Sequence, residues 1–388
     1  MNRRFDKSAD RFPVKRDCVY LAHCGVSPLA SNACAKALEV CKAQMTGGYR
    51  MFADLPDILE ELRDAAASLL STSRDNLAMV KNTSEAMNMI AQGYPFEPGD
   101  RIVGYVHEYP AVHYPWRLLR DRGVELDLLP DRDLGQAEAG GRPCGWSMRD
   151  LERTVTERTR MVALSHVQFT SGFAADLERL GAFCAERGLE LVVDAAQSLG
   201  CMPIDPHACS ISALASSGWK WLLGPIGSGL FFTSPELRDK LRHVMGGAEA
   251  MRQGADYLEH SWNPHESAKR FEYSTSPLAV AAALSASIRD NHLVYGTRAI
   301  FSEVRRLQDR LLQGLDRERF VPLEFPSENR SGIVSLMCRE EPQALQERLL
   351  RRGVATTARG GYLRIGPHFY NTEQEIDLAL EALHSPHL

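Results

Sequence analysis

From Leu77 onward, short apolar runs alternate with stretches whose apolar residues recur at helical spacing. LAMVKN (77–82) reads as a strand running straight into TSEAMNMIAQGY, a helix whose first residues are hydroxylic. RIVGYVHEYP (101–110) is a strand after a PGD turn, WRLLRDRG a helix, and VELDLLP (124–130) a strand. Between Pro130 and Trp146 the composition shifts to Gly, Ala, Asp and Arg, a surface loop. A helix from Met148 to about Glu157 precedes the strand RMVALSHV (160–167), and LERLGAFCAERG precedes LELVVD (189–194). ISALASS (211–217) and GLFF (229–232) complete the set. This alternation predicts an α/β fold, a mostly parallel central sheet sandwiched by helices. Ligands of such sheets sit beyond the carboxyl ends of the strands. Thr83, Glu108, Tyr109, His166, Asp194 and Lys220 are therefore expected on one rim.

The two ends of the chain read differently. Residues 1–20 form an arm with a short helix at most. YLAHCGVSPLA (20–30) is a turn into a helix, with Ser27 and Pro28 as start signals and ASNACAKALEVCKAQM as the body. DILEELRDAAASLL (57–70) is a second amphipathic helix. After about His260, FEYSTSPLAVAAALSASI starts a long helix that continues with breaks through RAIFSEVRRLQDRLLQGL. The strands GIVSLMC (332–338) and YLRIGP (362–367) then surround the helix ALQERLLRRG. The expected organisation is a large α/β domain over 18–260 and a smaller α+β C-terminal domain over 261–388, joined by the N-terminal arm 1–17.

Composition narrows the function. The 388 residues are 44% hydrophobic and 24% charged, an ordinary folded balance with room for two domains. A formal charge of −5 leaves no basic footprint for nucleic acid. No apolar run approaches the ~18 residues of a membrane span. The N-terminus is charged and lacks the apolar core of a secretory signal, so a cytoplasmic location is expected. Nine scattered cysteines, odd in number and never spaced C-x-x-C, argue against a disulfide framework and against a zinc ribbon, and no metal is expected.

The chemistry concentrates in residues 189–232. Lys220 sits between two tryptophans in SSGWKWLLGP, and Asp194 ends an apolar strand 26 residues earlier (220 − 194). An aldehyde cofactor needs a lysine to hold it as a Schiff base, and a pyridine nitrogen needs an acid to keep it protonated. Pyridoxal phosphate meets both demands. Taken singly, each residue has a plainer reading: Lys220 as a snorkelling lysine, Asp194 as a helix cap or arginine partner, Thr83 and Ser84 as an N-cap. On one rim, Thr83 and Ser84 make a phosphate cup at a helix N-terminus. Tyr109 either stacks on the cofactor or is a half-buried rim residue. Arg364, in an otherwise apolar strand, either clamps a substrate carboxylate or forms a structural ion pair. The glycines of GPIGSG lack the G-x-G-x-x-G order and lead into a strand, which excludes a nicotinamide dinucleotide loop.

DAAQSLG (194–200), SSGWKWLLGP (216–225), NTSEAMNMIA (82–91), HEYPAVHYPW (107–116), FEYST (271–275) and LRIGPHFYNT (363–372) together resemble the class V aminotransferase superfamily. These are pyridoxal-phosphate enzymes of fold type I that include cysteine desulfurases, isopenicillin N epimerase-like proteins and C–S lyases. The resemblance spans roughly residues 18–380. It implies that Lys220 is the Schiff-base lysine, that Asp194 pairs with the pyridine nitrogen and that Gln197 donates to the ring hydroxyl. It implies Tyr109 on the ring face, Thr83, Ser84 and Ser217 on the phosphate, His166 near the ring and Arg364 on the substrate carboxylate. Thr275 matches a threonine that reaches the phosphate of the neighbouring subunit, which implies a homodimer with shared sites.

Two departures bear on the reaction. ATTARGGYLR (355–364) has no cysteine where desulfurases carry their persulfide-forming thiol, and Trp219 stands where they have histidine. Phe169 fills a position that is often polar in desulfurases, and Cys24, near the site mouth, is read as packing in preference to a nucleophile. The resemblance implies an enzyme acting on an amino acid or related amine. Transamination leads narrowly, with β-elimination (a C–S lyase) or epimerisation close behind. A non-catalytic relative would be marked by loss of the lysine or the acid, and both are present.

Overall fold

The computed structural model describes residues 4–135, 138–254 and 256–385. The first three residues of the expected arm, two of the expected 130–146 loop, Ala255 of the expected large domain and the last three residues of the expected small domain lie outside that range.

The chain opens with a 3₁₀ turn at Pro13–Arg16 and a two-residue strand, β1 (Val19–Tyr20). Helix α1 (Ser31–Gly47) starts at Ser31, not at Ser27–Pro28. Ser27 is withdrawn from capping because its N–H and hydroxyl donate to the carbonyls of Trp219 and Lys220, at 2.8 and 2.5 Å. After the short α2 (Met51–Asp54), α3 (Ile58–Leu70) is capped by Asp57, whose side chain accepts from Glu60 N.

The central sheet is built from β2 (Leu77–Val80), β3 (Arg101–Tyr105), β4 (Glu125–Leu129), β5 (Thr159–Ser165), β6 (Glu190–Asp194), β7 (Ala213–Ser217) and β8 (Gly229–Thr233). Their order is β2-β8-β7-β6-β5-β3-β4. Six strands run one way, and β8 is reversed between β2 and β7. β2, β6, β7 and β8 are buried along their whole length, so their sequences read as continuous apolar runs instead of alternating ones.

The covering helices are α4 (Thr83–Gly93), α5 (Pro110–Arg117), α6 (Met148–Thr154), α7 (Leu177–Glu186) and α8 (Pro235–Lys240). Side chains at successive strand positions enter opposite cores, as the pleat requires. Val193 and Phe232 pack with Leu62, Leu70 and Phe183 on one face, while Val192 and Phe231 pack with Met87, Ile90 and Trp116 on the other.

Four expected boundaries shift here. The strand expected over 101–110 stops at Tyr105, and the helix expected from Trp116 begins at Pro110, whose ring presets the φ of a first helical residue. That helix ends at Arg117, before a 3₁₀ turn at Arg120–Arg122. The helix expected to reach Glu157 ends at Thr154.

The last third follows through α9 (Leu278–Ser287), a π-helical stretch Ile288–Leu293 and α10 (Thr297–Gly314). Then come β9 (Phe320–Pro322), β10 (Val334–Cys338), α11 (Pro342–Arg351), β11 (Val354–Ala355), β12 (Thr357–Arg359), β13 (Tyr362–Ile365) and α12 (Glu373–His384). An antiparallel sheet of order β12-β13-β10-β9 shares a core with α10, α11 and α12, built on Leu307, Leu336, Leu349, Leu363 and Ile376. Ala281 and Leu284 of α9 pack instead with α3 and the central sheet. β1 pairs in parallel with β11, which lays the segment after Tyr20 beside β12. Among the described residues, no helix is long and apolar enough to cross a membrane.

Candidate active site

Lys220 lies in the turn that follows β7. Its Nζ stands 5.4 Å from the centroid of the Tyr109 ring, just beyond the end of β3. The tight exit from β7 requires Gly218, since a Cβ there would lie 2.1 Å from Ser228 Oγ. Trp219 is half-buried and Trp221 fully buried, while the groups that act on the Lys220 amine are Asp194, Arg364, Cys24 and the Tyr109 ring. Burial lowers the Lys220 pKa; Asp194 opposes that shift, and the Arg364 guanidinium adds to it.

Asp194 ends β6 as a buried carboxylate. Its one hydrogen bond among the described residues comes from Ala196 N, at 2.8 Å. Burial raises its pKa, and Lys220 and the Ala196 N–H pull it back. The acid and the amine thus feel one another across the strand ends. His166 follows β5, and its backbone N–H donates to the Asp194 carbonyl at 2.9 Å. Its ring is buried, Nδ1 has no partner among the described residues, and burial lowers its pKa to about 4.

Behind these groups lies a polar knot that the sequence only half revealed. Glu108 accepts from Ser165 N at 2.8 Å, from the Ser165 hydroxyl and from Gln168 Nε2 at 2.9 Å. Burial pushes its pKa up to about 7, with the nearby Asp194 charge adding to the rise. Glu108 was expected on the rim; Ser165 and Gln168 flank His166 and carried no signal of their own.

At the adjoining strand ends, Thr83 Oγ1 and Ser217 Oγ lie 3.1 Å apart, both buried, where α4 begins. Ser84, exposed, is the next residue of that first turn. Hydroxyls and unpaired N–H groups at a helix N-terminus are a site for an anion.

The far wall comes from the C-terminal sheet. Arg364 on β13 is 3% exposed; its Nη1 donates to the Phe169 carbonyl, and its Nε has no partner among the described residues. The Phe169 ring meets Tyr109 edge-on, centroids 5.3 Å apart. Cys24 Sγ lies 3.1 Å from Thr357 Oγ1, and Thr357 is paired in register with Arg364. Gln197 Nε2 donates to the Cys24 carbonyl at 2.9 Å and Gln197 Oε1 accepts from Trp221 Nε1 at 3.1 Å, leaving one amide hydrogen free.

Thr275 lies apart from this group. It is exposed, in a cleft with Phe52, Leu55, Tyr257 and Lys269. The segment leading to it is fixed by Glu272, which takes a 2.5 Å ion pair from Arg63 and a 2.8 Å hydrogen bond from Met79 N.

The remaining groups converge: an anion cup, a buried acid with free acceptor capacity, an enclosed amine, an aromatic face and a buried guanidinium. This set fits a flat ligand that carries a phosphate, a basic ring nitrogen and an aldehyde. Beyond it, the guanidinium is placed for a carboxylate.

The chain matches the family model described as Aminotransferase class-V over residues 27–378. It is 28% identical over 394 residues to a probable cysteine desulfurase of Methanothermobacter thermautotrophicus, covering 96% of this chain and 95% of that one. In fold it is similar to a C-DES mutant with glycine covalently linked to the PLP cofactor, with TM-score 0.86, 20% identity, and 97% and 98% of the two chains covered. It is equally similar to the cystine C–S lyase C-DES in complex with its product cysteine persulfide, with TM-score 0.86, 20% identity, and 96% and 98% covered.

Proposed function

The chain belongs to the aminotransferase class-V family, and from that premise we propose that it cleaves a carbon–sulfur bond in a cysteine-class amino acid by β-elimination. The cofactor is pyridoxal phosphate, on which the family depends. When bound, it supplies an electron sink that makes the α-hydrogen of an amino acid acidic. Thr83, Ser217 and the first turn of α4 would hold its phosphate. Asp194 would hold its ring nitrogen, and Tyr109 would lie against its face.

The chain's own residues do the rest. Arg364 orients the substrate through its carboxylate and so decides which α-substituent faces Lys220. Lys220, enclosed and lowered in pKa, takes the α-proton at Nζ and returns one to the leaving side. Cleavage of the β-carbon–sulfur bond releases a thiol; water then frees ammonia and an oxo acid. Atoms balance without an oxidant.

The observation that carries this reading is the wall facing Lys220. It holds Arg364 and the Tyr109–Phe169 pair, and ATTARGGYLR offers no thiol to take the sulfur onto the enzyme. The thiol that does reach this wall, Cys24, is tied to the Thr357 hydroxyl at 3.1 Å and is read as packing, so on this reading sulfur leaves as a small molecule. Relatives named as a cysteine desulfurase and a cystine C–S lyase support sulfur amino acids as the substrate class.

The test is incubation of the loaded protein with cysteine and cystine in the absence of any oxo acid. Pyruvate release is expected. Alanine in place of pyruvate would mean desulfuration. No turnover until an oxo acid is added would restore transamination, the first expectation from sequence. We infer further that two copies associate through the face that bears Thr275 and the exposed Phe52, Tyr257, Leu258 and Trp262. Sedimentation of the pure protein tests this, and a monomer at micromolar concentration would overturn it.

A further inference from the structure

The turn that carries Lys220 is held from outside by three side chains on three separate elements. Ser27 Oγ donates to the Lys220 carbonyl at 2.5 Å, and Ser287 Oγ at the end of α9 donates to the Leu222 carbonyl at 2.8 Å. His368 Nε2 reaches the Trp221 carbonyl at 3.0 Å. A carbonyl only accepts, so His368 carries its hydrogen on Nε2. Its Nδ1 accepts from Phe369 N at 2.9 Å, which fits the same tautomer. The turn needs this support: Leu223, a non-glycine residue, sits at φ +55°, a conformation that persists only when its surroundings enforce it.

His368 is itself immobilised. It is fully buried, and its ring lies 5.2 Å from His23 and 5.6 Å from Trp221. His23 in turn binds the Gly366 carbonyl through Nδ1 and the Tyr370 hydroxyl through Nε2, both at 2.7 Å. Segment 366–370 is therefore a fixed piece. Four residues before His368, on the strand β13 that leads directly into this segment, lies Arg364, whose charge reaches Lys220.

We propose that His368 is a positioning residue, the hook by which the Arg364 strand sets the register of the Lys220 turn, so that amine and carboxylate clamp keep one fixed separation. The inference rests on the reading of Lys220 as the reacting amine and not on which bond of the substrate is broken.

The test compares His368→Gln, whose amide nitrogen can replace Nε2 as donor to Trp221, with His368→Ala and His368→Asn, which cannot reach it. Two quantities are read: the rate of borohydride capture of pyridoxal phosphate on Lys220, mapped by peptide mass spectrometry, and the affinity of pyruvate as a non-reacting carboxylate ligand. His368→Ala and His368→Asn are expected to capture about tenfold more slowly, the effect of one lost hydrogen bond, with pyruvate affinity within about twofold. His368→Gln is expected to stay within about twofold of the parent in both. If Ala fails to fold, the Gln and Asn pair, both polar, decides alone. Equal capture in Gln and Asn, or pyruvate affinity falling in step with capture, overturns the proposal. Absence of capture on Lys220 in the unmutated protein would instead remove the reading beneath it, and the inference with it.

Discussion

Nζ of Lys220 stands 5.4 Å above the ring of Tyr109, although 111 residues (220 − 109) separate the two in the chain. An aromatic face favours an ammonium, whereas burial and the Arg364 charge favour the neutral amine. Burial and the Arg364 charge lower the amine's pKa against the pull of Asp194, and that balance is open to mutation. Removing Asp194, which holds the Lys220 pKa up, is expected to leave more free amine at a given pH. Removing Arg364, which pushes it down, is expected to leave less. In cofactor-free protein at pH 7, acylation of Lys220 should be faster in Asp194→Asn and slower in Arg364→Gln. The same direction in both variants would show that access, not charge, controls the amine.

Glu108 gives a prediction on stability. Its ordinary pKa of 4.5 is raised by burial to about 7. Between those values the folded chain holds a proton that the unfolded chain has released, so stability falls as pH rises through the window and levels off above it. The slope is at most about 1.4 kcal/mol per pH unit. Glu108→Gln keeps an oxygen to accept from Ser165 N and Gln168, and its amide can donate to the Ser165 hydroxyl. Urea unfolding from pH 4.5 to 8 is expected to show the variant gaining on the parent up to about pH 7 and holding that gain beyond. A constant difference across the window would mean that Glu108 is already ionised at pH 4.5.

The buried imidazoles act in the opposite sense. Burial lowers His23, His166 and His292 from 6.5 to about 4, and lowers His368 well below 6.5. Below pH 6.5 the unfolded chain takes protons that the folded chain refuses, so their contribution is whole above 6.5 and is lost as pH falls toward 4. Four such groups outweigh Glu108, and net acid destabilisation is expected. In Glu108→Gln, which removes the opposing slope, the loss between pH 6.5 and 4.5 should be steeper than in the parent. A shallower loss would contradict both assignments at once.

How much of this was legible beforehand follows from the kind of signal each residue gives. Most of the sheet was read from apolar runs because β2, β6, β7 and β8 are buried along their whole length, and strand polarity then put Asp194, Lys220 and Tyr109 on one edge. Boundaries failed where a residue was claimed by distant chain: Ser27 looked like a helix start, yet it bonds to residues 219 and 220. The short strands β1, β11 and β12 carry no periodicity, since two or three residues cannot show one, and their pairing depends on tertiary contact. His368 was inside a quoted motif but had no visible task, because its partner is a backbone carbonyl 147 residues away. Side chains that serve a carbonyl leave no complementary residue in the sequence to find.

Arg364 gives the sharpest test of the substrate wall. Its Nη1 is spent on the Phe169 carbonyl while Nε has no partner, so the guanidinium both supports the loop and offers a free donor. Lysine in its place keeps the charge and loses the fork. A lost charged hydrogen bond costs about 1.5–3 kcal/mol, so Arg364→Lys should raise KM for cysteine by roughly 10- to 100-fold with a smaller change in kcat. A substrate without the carboxylate separates the two duties of the residue. If Arg364 grips the carboxylate, turnover of cysteamine should be indifferent to the substitution. If Arg364 only props the Phe169 loop, cysteine and cysteamine should lose activity by the same factor.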